Sequence, residues 1–364
     1  MDIHHPVGDW ALSPDVVHLN HGSYGGCTRE MLAYADRIRT RLEAAPMKFF
    51  VLEWQGLIDE ARAAVAGFVN APVDHTVFVP NATTGVAIAI HSCGIHPGDE
   101  VVTTNHCYRA VKNQLIRTGA HVRVVDIPLP FEPDAFAPAI LAAITPATKL
   151  VVLDHITSPT ALVFPIERVI PALVDRGIQV VIDGAHAPGQ IDLDLTKLGA
   201  TFYAGNHHKW LCAPKASGFL VGAGAKPLVT SHGASPEYGP PNRLHAELDW
   251  QGTHDPTSQL CAPLFTQQTR EVRQRNHALA IAFAEALGGT PIAPATSLGT
   301  MVAMPVRLQG DPVAMRDRLV ADNFEVMIVP WPGQPLLRVS THLYNSLTDV
   351  PRLAAKLTQL GLSL

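Results

Sequence analysis

The chain has 364 residues, 47% of them hydrophobic and 16% charged, the make-up of a compact globule with room for more than one core, which excludes extended disorder. Its net charge of −5 is spread along the length with no basic stripe or acidic tail, so nucleic acid is not an expected partner. No apolar run is long enough for a bilayer helix, and Met1-Asp2-Ile3-His4-His5-Pro6 lacks the basic-then-apolar pattern of a secretory signal, so no membrane association is expected.

From about residue 55 the pattern alternates between helix and strand, as in a doubly wound, mostly parallel sheet. Leu57 to Val69 has apolar residues at helical spacing, with Asp59, Glu60 and Arg62 on the other face. Val77-Phe78-Val79 reads as a strand, and Asn81 to Gly85 as a turn opening a helix over Val86 to Ile90. Strand, helix and strand follow at Glu100 to Thr104, Tyr108 to Thr118 and His121 to Val125. Leu150 to Asp154 and Ile178 to Asp183 are apolar runs too short for helices, as buried parallel strands are. A short crossover helix at Leu193 to Leu198 separates them from strands at Phe202 to Ala204 and Gly218 to Val221. Gly222 to Pro241, rich in Gly, Pro and Ser, reads as an active-site or interface loop. A helix at Thr266 to Leu287 then leads into a smaller α/β unit with strands near Met301 to Val306, Glu325 to Val329 and Leu336 to Ser340. The expected division is an N-terminal arm (1–20) packed on the small domain, a large domain (21–260) and a small C-terminal domain (261–364).

The residues that suggest chemistry fall where strands run into helices, the place where open parallel sheets bind ligands. Thr83, Thr84 and Gly85 follow a strand and open a helix, so their N–H groups and hydroxyls suit a phosphate, although Asn81 or Thr83 serving only as a cap gives the same pattern. Asp183 ends a strand with His186 three residues on; an aspartate turning back onto its own loop is the plainer account of that segment. His207-His208-Lys209 follows the next strand, and such a run by itself is commonly an exposed loop. The three segments together mean more. A carboxylate that can pair with a pyridinium, a lysine amine that can form a Schiff base, and phosphate donors nearby suit pyridoxal phosphate.

Leu19-Asn20-His21-Gly22-Ser23-Tyr24-Gly25, Val79-Pro80-Asn81-Ala82-Thr83-Thr84-Gly85, Asp183-Gly184-Ala185-His186-Ala187-Pro188-Gly189 and Gly205-Asn206-His207-His208-Lys209-Trp210-Leu211 closely resemble isopenicillin N epimerase-like proteins. These belong to the class V aminotransferase group of fold-type I pyridoxal phosphate enzymes, and the resemblance runs from Leu19 to about Asn345. It implies a Schiff base at Lys209, which would also move protons, with Asp183 on the pyridinium and His186 on the phenolic oxygen. Thr83, Thr84, Asn206 and His208 would bind phosphate. His106 would stack on the ring and take part in catalysis, with Tyr108 a second candidate for that position; Asn105 stands where the family usually has an acid. Thr157 and Ser158 would touch the cofactor or substrate edge. Gly252 and Thr253 would reach the phosphate of a neighbouring subunit, implying a homodimer with active sites at the interface. Arg338 would grip a substrate carboxylate, with Asn20 and His21 beside it.

The expected activity is epimerase- or racemase-like chemistry at the α-carbon of an amino acid or an amino-acid-containing metabolite, with transaminase and β-lyase (C-S lyase) activities as alternatives. Asn323 to Leu337 holds no cysteine, which disfavours a desulfurase that uses one on that loop. Two readings come from other classes: a metal-dependent hydrolase on His186, His207, His208 and Asp183, for which no His-Glu-x-x-His spacing exists, and a non-catalytic cofactor-binding protein. No metal is expected. Cys27, Cys93, Cys107, Cys212 and Cys261 contain no Cys-x-x-Cys pair and fit reduced thiols in a cytoplasmic protein. Phe49, Phe50 and Trp331 hint at an apolar substrate wall, or at core.

Overall fold

The computed structural model describes residues 2–364; Met1, the first residue of the expected arm, lies outside them. The strands are β1 (Val17–His18), β2 (Thr76–Val79), β3 (Glu100–Thr104), β4 (His121–Val125), β5 (Thr148–Asp154), β6 (Gln179–Gly184), β7 (Phe202–Asn206), β8 (Gly218–Val221), β9 (Met301–Pro305), β10 (Phe324–Glu325), β11 (Met327–Val329) and β12 (Leu336–Ser340). Seven of them form one sheet in the order β2-β8-β7-β6-β5-β3-β4, in which only β8 runs antiparallel to its neighbours. Helices cover both faces, so the central strands are buried on both sides and their sequences read as unbroken apolar runs. This is a mixed α/β architecture, with a three-stranded antiparallel sheet β11-β12-β9 beyond it.

The helix after β2 starts earlier than its apolar pattern suggests and spans Ala82–Ser92. Asn81 is its N-cap, Oδ1 accepting from the Thr84 N–H at 3.0 Å. The expected helix at 266–287 begins later, at Arg270. The expected strand Glu325 to Val329 is two strands in different sheets. Phe324 and Glu325 pair in parallel with Val17 and His18, whereas Met327–Val329 pairs with β12. A continuous β-rich stretch reveals nothing about a change of partner, because partners are chosen by distant residues. Val17 and Leu19 bury themselves in the core around the small sheet, with Phe283, Val302 and Leu353, and so bring the following residues to the mouth of the large sheet.

Candidate active site

The carboxyl ends of β5, β6 and β7, the start of the helix Ala82–Ser92 and the short helix His21–Tyr24 enclose a cavity of about 230 Å³. Gly25 allows the last of these to approach. Its φ of +67° is left-handed, and a Cβ there would lie 1.8 Å from the His208 carbonyl oxygen.

Lys209 is half-buried, its Nζ 3.0 Å from His186 Nε2. Burial pulls the amine down to about 7; the nearby Asp183 opposes this, and Arg338 adds to it. His186 is held well below the ordinary histidine range by burial and then by the Lys209 charge. Its Nδ1 has no hydrogen-bond partner although it is out of water. Asp183 accepts from the Ala185 N–H at 3.0 Å, and burial raises its carboxyl.

Asn206 does two things in one place. It lines the cavity, and its Oδ1 accepts from the Ala82 N–H at 2.8 Å. With the Thr84 N–H taken by Asn81, the Thr83 N–H is the first-turn donor that lacks both an intrahelical acceptor and a cap. It points a positive helix end at the cavity wall that Thr83 and His208 also form. His208 is lowered to about 4 by burial and the Lys209 charge, so it is a neutral donor or acceptor at ordinary pH.

Arg338 is a buried cation without an anion. Its Nη2 donates to Asn20 Oδ1 at 2.8 Å and to Ser23 Oγ at 3.1 Å, its Nη1 donates to the Ser158 carbonyl, and its Nε has no partner. Among the described residues no carboxylate lies within ion-pair reach of it. Burial lowers its pKa to about 10, so it stays charged.

Of the expected site residues, Thr83, Tyr108, Ser158, Asp183, His186, Asn206, His208 and Lys209 line this one cavity, and Asn20 and Arg338 meet at its edge. Others depart from expectation. His106 is turned into the core: Nδ1 lies 2.6 Å from Thr160 Oγ1, Nε2 lies 2.8 Å from the Ile127 carbonyl, and the ring packs on Phe164 and Trp331. The turn after β3 sends residue 106 inward and residue 108 outward, so Tyr108 faces the cavity in its place. His21 is also no substrate contact. Its Nε2 meets the Lys209 carbonyl at 2.9 Å and its Nδ1 the Tyr344 hydroxyl at 3.0 Å, which makes it a brace behind the lysine. Thr84 turns its hydroxyl to Asn81 instead of the cavity. Gly252 and Thr253 lie away from the cavity of their own chain. Phe49 is core, Phe50 packs on Trp54 and Trp250, and Trp331 on His106; none lines the cavity.

Sequence reasoning missed Asp154, Ser23 and Tyr24, all of which line the cavity. Asp154 carried a signal: it closes its apolar run as Asp183 closes the next.

His21, Cys212 and His342 bring ligand-type atoms within 4.8 Å of one another behind Lys209. The two imidazoles are stacked, 4.3 Å apart and 21° from parallel, so their lone pairs run side by side and do not converge on a point. With His21 bonded at both nitrogens and burial pushing the Cys212 thiol up, the cluster is built for hydrogen bonding.

A profile of the aminotransferase class-V family matches residues 47–228. Isopenicillin N epimerase from Amycolatopsis lactamdurans is 34% identical over 96% of this chain and 96% of its own. Putative L-cysteine desulfhydrase 1 from Oryza sativa subsp. japonica is 34% identical over 85% of this chain and 67% of its own. Among solved structures, the cystine C-S lyase C-DES in complex with cysteine persulfide superposes with a TM-score of 0.81, at 20% identity, over 95% of this chain and 98% of that one; at that identity the likeness concerns the fold. The chain belongs to the aminotransferase class-V family of pyridoxal phosphate enzymes, and along nearly its whole length it is similar to isopenicillin N epimerase.

Proposed function

We propose that this pyridoxal phosphate-dependent class V enzyme acts at the α-carbon of an amino acid or an amino-acid-containing metabolite and exchanges its configuration. One observation carries the reading: Lys209 and Asp183 line a single cavity, and an anion-free Arg338 stands at its edge, bonded to Ser23 and Ser158 of its wall. The donor set fits the cofactor. Lys209 Nζ would hold its aldehyde carbon, Asp183 would pair with a ring nitrogen, and His186, whose Nδ1 has no partner, would meet a ring oxygen. Thr83, Asn206 and His208 surround the free helix N–H suited to a phosphate. When bound, pyridoxal phosphate supplies an electron sink for a carbon that has lost its proton.

The remaining steps belong to the chain's own side chains. Arg338 exchanges the neutral acceptors Asn20 and Ser23 for a substrate carboxylate, which fits its planar fork bidentately and fixes the α-carbon relative to Lys209. An amine near 7 is free base and ammonium in comparable amounts at neutral pH, so Lys209 can take a proton from that carbon and give it back. Inversion needs a second donor on the other face. Tyr108, partly exposed and lining the cavity, is the group we assign to it, His106 being engaged in the core.

A second reading, β-elimination of a sulfur leaving group, is favoured by the plant relative's name and by the sufficiency of one base, Lys209. A panel of amino acids in deuterated water separates the two. Deuterium at the α-carbon with loss of stereochemistry supports epimerisation; pyruvate with released thiol supports the lyase; keto acid without elimination sinks both.

We read 21–260 as the large domain, 261–364 as the small one and 1–20 as the arm. We also propose a homodimer in which Gly252 and Thr253 meet the partner's phosphate site. Its support is an uncovered apolar ridge on the segment 46–53, where Met47, Val51 and Leu52 are 78%, 66% and 75% exposed. Among the described residues no helix is long and apolar enough to cross a membrane. We propose a cytoplasmic setting, which the five free cysteines support.

A further inference from the structure

Gln190 is buried in the turn that follows Asp183 and His186, in no contact with the cavity, yet every polar atom of its side chain is used. Its Nε2 donates to the His186 carbonyl at 2.8 Å. Its Oε1 accepts twice from Thr300, from the N–H at 2.7 Å and from Oγ1 at 3.0 Å. Thr300 introduces β9. Its carbonyl accepts from the Thr341 N–H at 3.1 Å, just beyond β12, and Arg338 on β12 stands opposite Ala303 on β9. One amide therefore joins the segment that holds His186 against Lys209 to the start of β9, the strand paired with the one that carries Arg338. The opposite wall is built around the same contact, since a Cβ at Gly299 would lie 2.4 Å from Gln190 Oε1.

Resting on the reading of Arg338 as the carboxylate grip, we infer that Gln190 is a positioning residue: its amide fixes the spacing between the Lys209–His186 pair on the large sheet and Arg338 on the small one. A core amide that served only to satisfy buried groups needs no partner on both sheets. Here the donor is spent on one and the acceptor on the other, so a change in their separation strains both bonds at once. Misplacement of a binding group by a fraction of its bond length is enough to lose most of its contribution, because bidentate pairing is directional. Other ties between the sheets remain in a Gln190 variant, among them the Val163 N–H to the Ser297 carbonyl at 2.8 Å and the Phe131 N–H to the Ile292 carbonyl at 2.8 Å, so the fold does not depend on this amide alone.

The test uses the holoenzyme and two perturbations from opposite sides. Gln190→Met keeps the length and removes the amide. Gly299→Ala keeps the amide and displaces its oxygen from Thr300. Binding of an amino acid and of its decarboxylated amine is followed by the change in visible absorption, alongside the thermal midpoint. Both variants are expected to weaken the amino acid about tenfold and to leave the amine and the resting spectrum unchanged, since the amine never engages Arg338. Equal weakening of both ligands, or of neither, overturns the inference. A wild-type enzyme that binds amine and amino acid equally well overturns instead the assignment of Arg338, on which the inference rests.

Discussion

Asp154 and Asp183 stand opposite each other in register on adjacent parallel strands, and both carboxylates are buried against the same cavity. Register partners in a sheet point to the same face, so the two acids share one low-dielectric space with Lys209. Burial raises both; the Asp183 charge then raises Asp154 further, well above the carboxylate range. Two acids in that space favour a single negative charge, and we place it on Asp183, which accepts from the Ala185 N–H. Asp183→Asn is expected to lower kcat/KM on the order of 10²–10³-fold. Asp154→Asn, which imitates an uncharged acid, should cost less than about tenfold. Steady-state kinetics decide, and the reverse ranking would mean that the roles are exchanged.

Lys209 makes activity and stability depend on pH in a defined sense. With substrate bound in its place on the cofactor the amine is free, and its free-base fraction grows through about 7, so kcat, which reports the substrate-bound enzyme, should climb between pH 6 and pH 8. For stability the sign follows from proton binding. The folded amine, lowered to about 7 from the ordinary 10.5 of a lysine, binds fewer protons than the unfolded one between those values, so its contribution improves as pH rises through that window. Apoprotein carrying Lys209→Ala should therefore melt higher relative to wild type at pH 7 than at pH 10. A gap that does not narrow contradicts the depressed amine. In the holoenzyme the same variant should lose its visible absorption and nearly all turnover.

Replacing Arg338 by Lys keeps the charge and loses the fork. The KM for amino acids should rise about 10- to 100-fold while the resting spectrum stays unchanged, because Asp183 and Lys209 are untouched. A fall confined to kcat, with KM unchanged, would place Arg338 outside substrate binding.

Tyr108→Phe separates the two faces of the substrate. If the Tyr108 hydroxyl donates to the face opposite Lys209, the variant still exchanges the α-hydrogen with solvent deuterium but inverts it about 100-fold more slowly. Proton NMR and chiral chromatography on one sample read both rates. Exchange and inversion falling together would assign the second donor elsewhere.

Arg62 lies wholly inside the large body, its Nη2 2.5 Å from Asp249 Oδ2 and its Nη1 donating to the Thr76 carbonyl at 3.0 Å. Arg62→Ala strands the buried Asp249 carboxylate and should destabilise the protein by about 3–5 kcal/mol. Arg62→Ala combined with Asp249→Ala should recover part of that loss in a denaturant titration.

Sequence alone determined the local features. Apolar runs of strand length, the polar residues that end them and the Gly-rich openings of helices are set by neighbours along the chain, and they placed Asp183, His186, Asn206, His208 and Lys209 at strand ends before any contact was known. Which side chain faces the cavity was decided by tertiary structure. His106 and Tyr108 lie two residues apart on one loop, and only packing against Phe164, Trp331 and the Ile127 carbonyl sends the first inward and leaves the second at the site. The same holds for His21, drawn under the Lys209 carbonyl, and for Asp154, whose carboxyl is raised by burial and by Asp183 on a strand that follows it in the chain. Periodicity records how a residue relates to its own helix or strand, whereas burial, charge state and hydrogen-bond partner are properties of the space between elements.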